Sequence, residues 1–345
     1  MGRIFYSALL IAGCVSAPFQ ADALTLKEAV GTALRTNPEI AKSIENREAI
    51  EFELKQARGL FMPTVNLEAS TGGQLYNSPS RRAAGIHKDV LYPSQAEVVG
   101  AFSILDGGYR KSESARQAAR VDAASFRVLE RSELIGLEVA RLYFEILLQH
   151  KIVNLSRRNV EFHRSTLADV NEAIDSGSLT RADRQQAIER LSAAKASLLK
   201  AQEALDTARI SFGKEVGIAF NNPKFPPRVG RFLPRTLRRA INLALSNNPR
   251  MNSAKADQDA TSALVSRAKG DFAPRLRLEG RAKYGYDIGG VDKRTTDVQG
   301  RLVLSWKLFD GGIRKAHLQE TIRREGEAKQ ARRSVAREVE QAVRT

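Results

Sequence analysis

The chain has 345 residues, of which 42% are hydrophobic and 27% are charged. That balance is typical of a folded protein and argues against a disordered chain. Lysine and arginine outnumber the acidic residues, which gives a formal net charge of +16. Because the basic residues are interleaved with Asp and Glu along the whole chain, the charge favours solvated helix faces over a nucleic-acid site. The single cysteine, Cys14, excludes a disulfide within the chain and a thiolate metal site.

The N-terminal segment has the features of a secretory signal peptide. An apolar run from Ile4 to Val15 is too short for a stop-transfer helix, and Ala21–Ala23 fits an A-x-A cleavage site. We therefore expect residues 1–23 to be removed on export. The alternative is a lipoprotein signal, because Ile11–Cys14 resembles a lipobox and would leave a lipidated Cys14.

The rest of the chain contains an internal duplication. Residues 29–38 (AVGTALRTNP) recur 211 positions later as residues 240–249 (AINLALSNNP). Further on, residues 102–110 (FSILDGGYR) recur 204 positions later as residues 306–314 (WKLFDGGIR). Several matches in the same order indicate a repeat. We predict a first repeat over residues 24–232 and a second over residues 233–345.

Each repeat is predicted to begin with a helix and continue with a β-hairpin. The helix is interrupted at Asn37-Pro38 and again at Asn248-Pro249, because proline lacks the amide proton that a helix interior needs. The pattern then changes to an alternation of apolar and polar residues, which is typical of strands. We predict β-hairpins at about 63–105 and 274–309, with a polar loop at 72–94 in the first. Strands of about ten residues are long enough to cross an outer membrane when tilted.

The second hairpin carries aromatic and basic residues in informative places. Trp306, Tyr284 and Tyr286 suit an aromatic girdle at a membrane interface. Four basic residues alternate with the apolar positions and are predicted to face a lumen, namely Arg277, Arg281, Lys283 and Arg301. They suggest a barrel that tolerates anions. On the alternation alone, a half-buried strand pair in a soluble sheet is the favoured interpretation; two equal hairpins, an export leader and the lack of a soluble partner sheet reverse that preference.

A long antiparallel helical hairpin follows the first pair of strands, at about 109–212. The first helix is predicted from Tyr109 to about Ile174, which is roughly 100 Å at 1.5 Å per residue. The second is predicted from Thr180 to about Phe212, before a linker at 213–232. Large and small residues alternate on one heptad stripe of the second helix, which indicates close coiled-coil packing. The stripe consists of Ala187, Leu191, Ala194, Leu198, Ala201, Leu205, Ala208 and Phe212.

Two short segments are predicted to form turns where a strand passes into a helix. They are Asp106-Gly107-Gly108 and Asp310-Gly311-Gly312. In each, glycine supplies a positive φ and the aspartate caps the following helix. The alternative interpretation, a catalytic loop, lacks any accompanying nucleophile or base.

The end of the helical hairpin is predicted to be a defined turn. Gly177 and Ser178 break the helical pattern, and Gly177 is expected to end the first helix in a left-handed conformation. Thr180 and Asp183 have the spacing of a capping box at the start of the second helix. A docking surface is compatible with this structure, with Leu179 as an exposed apolar contact.

No pattern in the chain indicates an active site. The histidines lack metal-type spacing, being scattered at His87, His150, His163 and His317. Neither a phosphate-binding glycine loop nor a nucleophile elbow is present. We therefore predict a protein that is not an enzyme and has no cofactor and no metal.

The arrangement resembles the TolC-like outer-membrane efflux protein family. The resemblance is carried by features present in both repeats, namely the Leu-rich openings, the Asn-Pro steps, the Pro-led strands and the Asp-Gly-Gly turns, together with the single tip Gly177–Asp183. It implies mainly α structure with a small β part. It also implies a homotrimer in which each protomer gives four strands to one twelve-stranded barrel and its helices to a periplasmic tunnel.

The same resemblance implies partners and a place in the cell. The tip would contact a periplasmic adaptor (a membrane fusion protein), which links the duct to an inner-membrane pump. The duct would lie in the outer membrane of a Gram-negative bacterium, in contact with its lipid, and extend into the periplasm. It would conduct passively, either in multidrug efflux or in type I secretion, without binding nucleic acid.

The second repeat ends at Thr345, shortly after its strand–helix turn. We expect its helical hairpin to lack most of its length, and a protomer that ends there to assemble poorly. Another class of function stays open, a periplasmic coiled-coil structural or adaptor protein without a barrel. The alternating hairpins distinguish the two classes, because an adaptor has no need of lipid-facing strands.

Overall fold

The computed structural model describes residues 24–85, 89–218, 223–227, 230, 233–288 and 293–345. The predicted signal peptide, Cys14 and His87 lie outside the described residues. The elements, in chain order, are α1 (Leu26–Thr36), α2 (Pro38–Gly59), β1 (Thr64–Thr71), β2 (Gln74–Tyr76), α3 (Pro79–Ala83), β3 (Asp89–Leu91), β4 (Ser94–Leu105), α4 (Tyr109–Asp175), α5 (Arg181–Val216), α6 (Leu237–Asn247), α7 (Pro249–Gly270), β5 (Arg275–Tyr286), β6 (Arg294–Ser305) and α8 (Ile313–Arg344).

Both repeats start with two helices separated at the predicted Asn-Pro step. α1 and α6 have 11 residues each, and α2 and α7 have 22 residues each. Asn37 and Asn248 adopt extended backbone conformations between the helices, as expected for a residue before proline. The side chain of Asn248 also accepts a hydrogen bond from the amide of Arg250 at 2.8 Å, which caps the second helix.

Four strands form one antiparallel sheet in the order β1-β4-β5-β6. The two hairpins have matching registers, because Val65 lies opposite Gly100 and the corresponding Leu276 lies opposite Leu304. In this chain the β1 and β6 edges have no strand beside them among the described residues. β4 and β5 join the two repeats at the centre of the sheet.

The loop predicted at 72–94 contains structure that the sequence pattern did not indicate. β2 and β3 form a two-stranded antiparallel ribbon, and the short helix α3 lies between them in sequence. Ser78 caps α3 by accepting a hydrogen bond from the amide of Arg81. The prediction of a plain polar loop is wrong, since strands of three residues are too short to produce a recognisable alternation.

The long helical hairpin has almost the predicted bounds. α4 is a single helix of 67 residues, and α5 has 36 residues. α5 continues past Gly213 and ends at Val216, so the predicted end at Phe212 was four residues too early; Gly217, whose φ of 81° is left-handed, caps the helix. The predicted stripe of α5 is buried or partly buried, with Leu198 packed beside Leu191 and Ala194. This arrangement confirms the coiled-coil packing.

The chain divides into two compact units. One consists of residues up to 37 together with 133–229, and the other of residues 38–132 with 230–345. In the first unit, the hydroxyl of Tyr143 accepts a hydrogen bond from the amide of Lys224 at 2.8 Å and lies 2.9 Å from the carbonyl of Leu24. The second unit contains the four-stranded sheet. These units group residues by contact, and the repeat boundaries at 24–232 and 233–345 stay a prediction.

Candidate functional site

One face of the four-stranded sheet is an exposed apolar surface. A row of apolar residues crosses all four strands, from Leu67 through Val98 and Ala282 to Val298. Leu67 and Val298 are 72% and 76% exposed. A contiguous apolar surface of this kind marks a contact with lipid or with another protein. On a sheet it has the pattern of a membrane-spanning strand wall.

The opposite face of the same sheet is polar. The neighbouring row across the four strands consists of Glu68, Glu97, Lys283 and Asp297. Successive side chains of a strand point to opposite faces, so this row lies behind the apolar one. A sheet that is apolar on one side and polar on the other separates an apolar medium from water.

All four basic residues that the alternation predicts to face a lumen lie on this polar face. They occupy alternate positions of β5 and β6 and pair across the sheet with other residues of the same face; they are Arg277, Arg281, Lys283 and Arg301. Lys283 lies directly between Glu97 on β4 and Asp297 on β6 in the register. Their exposure to a lumen in an assembled protein stays a prediction.

The arginines of the polar face are paired with carboxylates. One carboxylate oxygen of Glu279 lies 2.6 Å from the guanidinium of Arg277, and the other lies 2.7 Å from the guanidinium of Arg301. Arg281 lies 3.1 Å from Asp297 and 3.7 Å from Glu97. Cross-strand pairs of opposite charge stabilise a sheet by up to about 1 kcal/mol each.

The sequence prediction did not pair these arginines with any carboxylate. Glu97, Glu279 and Asp297 lie on the same face of the sheet as the basic residues. Glu279 and Asp297 share a strand with some of them, and Glu97 lies on the neighbouring strand β4. The alternation that selected the arginines would also have selected these carboxylates. Only the strand register shows which of them meet.

The three aromatic residues of the second hairpin lie at opposite ends of its strands. Tyr284 and Tyr286 are half-exposed at the loop end of β5. Trp306 follows the last residue of β6, and its indole Nε1 donates a hydrogen bond to the carbonyl of Phe272 at 3.0 Å. Aromatic residues at both ends of an apolar strand face are typical of a membrane-spanning hairpin.

The two Asp-Gly-Gly segments are strand–helix turns of almost identical geometry. Asp106 accepts hydrogen bonds from the amide of Gly108 at 3.0 Å and from the Nε of Arg110 at 2.7 Å. In the second repeat, Asp310 accepts from the amide of Gly312 at 3.1 Å and from the Nε of Arg314 at 2.5 Å. The carboxylates therefore hold the chain where it changes direction.

The electrostatics of these turns agree with that structural role. Burial raises the pKa of Asp106, but the hydrogen bonds from Arg110 and Gly108 outweigh it, so the pKa lies below its usual value. The hydrogen bond from Arg314 lowers the pKa of Asp310 in the same way, against a smaller opposing effect of burial. Both carboxylates are ionised near neutral pH, whereas a general acid would need a raised pKa.

Glycine is required in these turns because the backbone is left-handed. The φ angles are 66° and 80° at Gly107 and Gly108, and 65° and 90° at Gly311 and Gly312. Side chains other than glycine rarely adopt such values. The predicted positive φ of these glycines is therefore present in both repeats.

The tip of the helical hairpin has the predicted turn. The amide of Ser178 donates to the carbonyl of Ala173 at 2.8 Å, and the amide of Gly177 donates to the carbonyl of Ile174 at 2.9 Å. With a φ of 79° at Gly177, these two bonds form a Schellman motif that ends α4. The following residue, Leu179, is 39% exposed.

α5 begins with the capping box predicted from the sequence. The amide of Thr180 donates to a carboxylate oxygen of Asp183 at 2.8 Å, and the amide of Asp183 donates to the hydroxyl of Thr180 at 3.4 Å. The hydrogen bond from the Thr180 hydroxyl, together with that from its amide, lowers the pKa of Asp183. The tip is therefore held rigidly, and its role in docking stays a prediction.

Among the residues that the structure describes, no cluster of three or more His, Cys, Asp or Glu side chains is arranged to hold a metal ion. None of the described helices is both long enough and apolar enough to cross a membrane.

Comparison with known proteins agrees with this architecture. Residues 29–217 and 240–345 match the family described as "Outer membrane efflux protein". A membrane protein from Pseudomonas aeruginosa superposes with a TM-score of 0.77 at 18% identity, over 90% of this chain and 74% of that one. The outer membrane protein VceC from Vibrio cholerae gives 0.74 at 15% identity, over 91% and 75%. The open state of the MtrE outer membrane channel from Neisseria gonorrhoeae gives 0.70 at 18% identity, over 92% and 70%.

No match was found among the curated proteins. A chain that has a sheet with one polar and one apolar face, and also long paired helices, has the elements of an outer-membrane channel wall. Since the family match extends over most of the chain, the chain belongs to the outer membrane efflux protein family. It is an outer-membrane channel protein that extends into the periplasm, and the predicted resemblance and fold class are confirmed. The family consists of transport ducts rather than enzymes.

Proposed function

We propose that this chain is one protomer of a trimeric exit duct, through which cargo crosses the periplasm and the outer membrane by passive diffusion. The observation that carries the proposal is the four-stranded sheet, which has one exposed apolar face, one charged face and two open edges. An adaptor-like periplasmic protein without a barrel has no use for such a sheet.

The open edges favour assembly with further copies. An unpaired strand edge cannot be exposed to lipid, because its amide and carbonyl groups would lack hydrogen bonds. Four strands are too few to close a barrel around a lumen. Three copies give twelve strands, and pairing β6 of each copy with β1 of the next leaves no edge open.

The dimensions of the second hairpin suit an outer membrane. β5 and β6 have 12 residues each, and about 9–11 tilted residues cross the hydrocarbon region. Tyr284 and Tyr286 at one end and Trp306 at the other are separated by the length of the strands. We place the apolar face between these aromatic residues in contact with lipid.

The charged face lines the water-filled passage in this proposal. Arg277, Arg281 and Arg301 each lie within an ion pair, so their positive charge is offset locally. The wall is then hydrated without a large field of one sign. The acidic partners, and the basic residues themselves, together set the ion preference of the duct.

The tip of the helical hairpin is proposed to dock a periplasmic adaptor, which connects the duct to an inner-membrane pump. The Schellman motif and the capping box fix the turn, and Leu179 is presented at its surface. Energy for transport comes from the pump in this scheme, and the chain supplies the conduit.

Membrane fractionation tests the proposal directly. The full chain, expressed from its own gene, is expected in the outer membrane as a trimer that dissociates on heating. Deletion of the gene should increase sensitivity to toxic compounds if the cargo is a drug, or retain an exported protein in the cell if the cargo is a protein. Recovery of a soluble periplasmic monomer would overturn the proposal.

A further inference from the structure

The two repeats meet within one chain at a close backbone contact. Gly107 in the first strand–helix turn faces Gly270 at the end of α7. A Cβ atom added to either glycine would collide with the backbone carbonyl of the other. Backbone atoms cannot move aside as a flexible side chain can, so this contact requires glycine at both positions.

The chain contains the same pair of positions a second time, with the repeats exchanged. Gly311 holds the position of Gly107 in the second turn, and its φ of 65° matches the 66° of Gly107. Gly59 holds the position of Gly270, since α2 ends at Gly59 as α7 ends at Gly270. A Cβ added to Gly59 or Gly311 meets nothing within 4 Å in the described part of the chain. Gly59 and Gly311 therefore have room for the same close contact with another molecule.

The surroundings of the two pairs differ in the same sense. Tyr109, after the first turn, is half-buried. The guanidinium carbon of Arg267 lies over its ring, 4.4 Å from the centroid of the Tyr109 ring. The corresponding Ile313, after the second turn, is 72% exposed, and Phe309 just before it is 86% exposed. Met62, three residues after Gly59, is 69% exposed. The side chain after the second turn therefore lacks the cover that Tyr109, its counterpart in the first repeat, has.

The two open strand edges, β6 and β1, correspond through the repeat to the two strands that pair inside the chain. β4 pairs with β5 inside the chain, and the repeat places β6 where β4 stands and β1 where β5 stands. Inside the chain Val99 pairs with Arg281; the corresponding residues, 204 positions after Val99 and 211 positions before Arg281, are Val303 and Ser70. The same spacing relates the pair Gly100–Gly280 to Leu304–Ala69.

This register is consistent with the two faces of the sheet. Leu304 and Ala69 both lie on the apolar face, and Val303 and Ser70 both lie on the opposite face. A slip by one residue would bring polar side chains to the apolar side. The hairpins β1–β4 and β5–β6 already obey the same repeat spacing.

We propose that a second copy of this chain docks with its Gly311 turn against Gly59, while its β6 edge pairs with β1 so that Val303 lies opposite Ser70. The inference rests on the proposed ring of three copies and adds the residues that join one copy to the next. Each protomer then takes part in three such contacts: one within itself, one through its Gly311 with one neighbour, and one through its Gly59 with the other neighbour.

Substitution of the open glycine tests the contact. Gly59→Ala adds a Cβ that meets nothing within 4 Å among the residues that the structure describes, so the free protomer keeps its helix content and its thermal stability. In the assembly, the added Cβ meets the backbone of Gly311, and we expect most of the heat-dissociable trimer to be lost. Gly280→Ala is the matched control, because its Cβ also meets nothing within 4 Å and lies away from the proposed contact. Trimer retained in the Gly59→Ala variant at the level of the control would overturn the glycine contact.

A pair of cysteines tests the register. The single native cysteine is Cys14, so Val303→Cys with Ser70→Cys places two thiols in opposite strands. Oxidation in outer membranes should link each chain to both neighbours, which gives covalent dimers at first and covalent trimers on completion. Val303→Cys with Asn66→Cys is the control, since four strand residues add about 13 Å of separation, beyond the reach of a disulfide.

The outcomes separate the register from the function. Trimers that link through Ser70 and not through Asn66 support the register. Trimers that link through Asn66, or through neither residue, overturn the register and leave the duct in place. A chain that forms neither trimers nor outer-membrane protein overturns the duct, and the register with it.

Discussion

Glu279 lies directly opposite Arg301 in the sheet and accepts a hydrogen bond at 2.8 Å from its Nε, and the Nη2 of the same guanidinium lies 2.7 Å from that carboxylate oxygen. The other oxygen of Glu279 binds Arg277 at 2.6 Å. One carboxylate thus offsets two of the four basic residues on the polar face. Charge-assisted pairs of this kind fix both the positions of the side chains and the local field.

Removal of that carboxylate should increase the preference of the duct for anions. In Glu279→Gln, the amide cannot neutralise Arg277 and Arg301, and both would present their charge to the lumen. We expect the reversal potential in a salt gradient across a planar bilayer to shift toward that of chloride. Charge reversal of Arg281 or Lys283 should shift it in the opposite direction.

Glu68→Gln is the control for this experiment. Glu68 lies on the same face, in the row that contains Glu97, and its substitution removes the same amount of charge without separating Glu279 from its arginines. A shift no larger for Glu279→Gln than for Glu68→Gln would mean that the ion pairs have no special role in selectivity.

The strand–helix turns should contribute stability that depends on pH. Asp106→Ala removes hydrogen bonds to Gly108 and Arg110, and we expect a loss of about 1 kcal/mol in the free energy of unfolding at neutral pH. Because the folded state lowers the pKa of Asp106, this contribution is complete above the usual aspartate pKa of about 4. It is lost as the pH falls through the lower folded-state pKa. Unfolding of detergent-solubilised protein, followed by circular dichroism between pH 7 and pH 3, measures the difference.

Asp122→Ala provides the comparison for the turn variant. Asp122 is an exposed residue within α4 and caps no turn. It should cost much less than Asp106→Ala at neutral pH. An equal loss in both variants would contradict the capping role of Asp106.

The repeated elements were predictable because local chemistry determines each of them. Asn-Pro steps end a helix, alternation marks a two-faced strand, and Asp-Gly-Gly supplies a cap and two left-handed residues in one segment. The capping box of Thr180 and Asp183 likewise depends on residues three apart. Each of these signals lies within a few positions of the chain.

Relations between distant residues were beyond the sequence pattern. The contact of Gly107 with Gly270 joins residues of different repeats, and no local feature of either glycine indicates its partner. The pairing of Arg281 with Asp297 depends on the strand register in the same way. The ribbon β2–β3 was missed because each of its strands has three residues.

The stripe along α5 should contribute more to stability than the rest of the helix. Leu191 is 8% exposed and packs with Val160 of α4, so Leu191→Ala leaves a cavity and should cost about 2–4 kcal/mol. Leu199→Ala makes the same chemical change at an exposed position of the same helix and should cost much less. Thermal unfolding of the detergent-dissociated chain compares the two. Similar losses for the two leucines would contradict the proposed stripe.

The tip should affect transport through its surface rather than through its fold. Leu179→Asp changes the exposed side chain and leaves intact the hydrogen bond that its amide donates to the carbonyl of Ala173, so the amount of trimer should be unchanged. If Leu179 docks an adaptor, we expect export activity in the native host to fall about tenfold, equivalent to about 1.4 kcal/mol of binding. Thr180→Ala should instead reduce the stability of the hairpin by about 1 kcal/mol through loss of the cap, while it keeps the apolar contact. Ser178→Ala, a mild change in the same turn, should leave export at the level of the unaltered protein. Normal export by the Leu179→Asp variant would remove this residue from the docking surface.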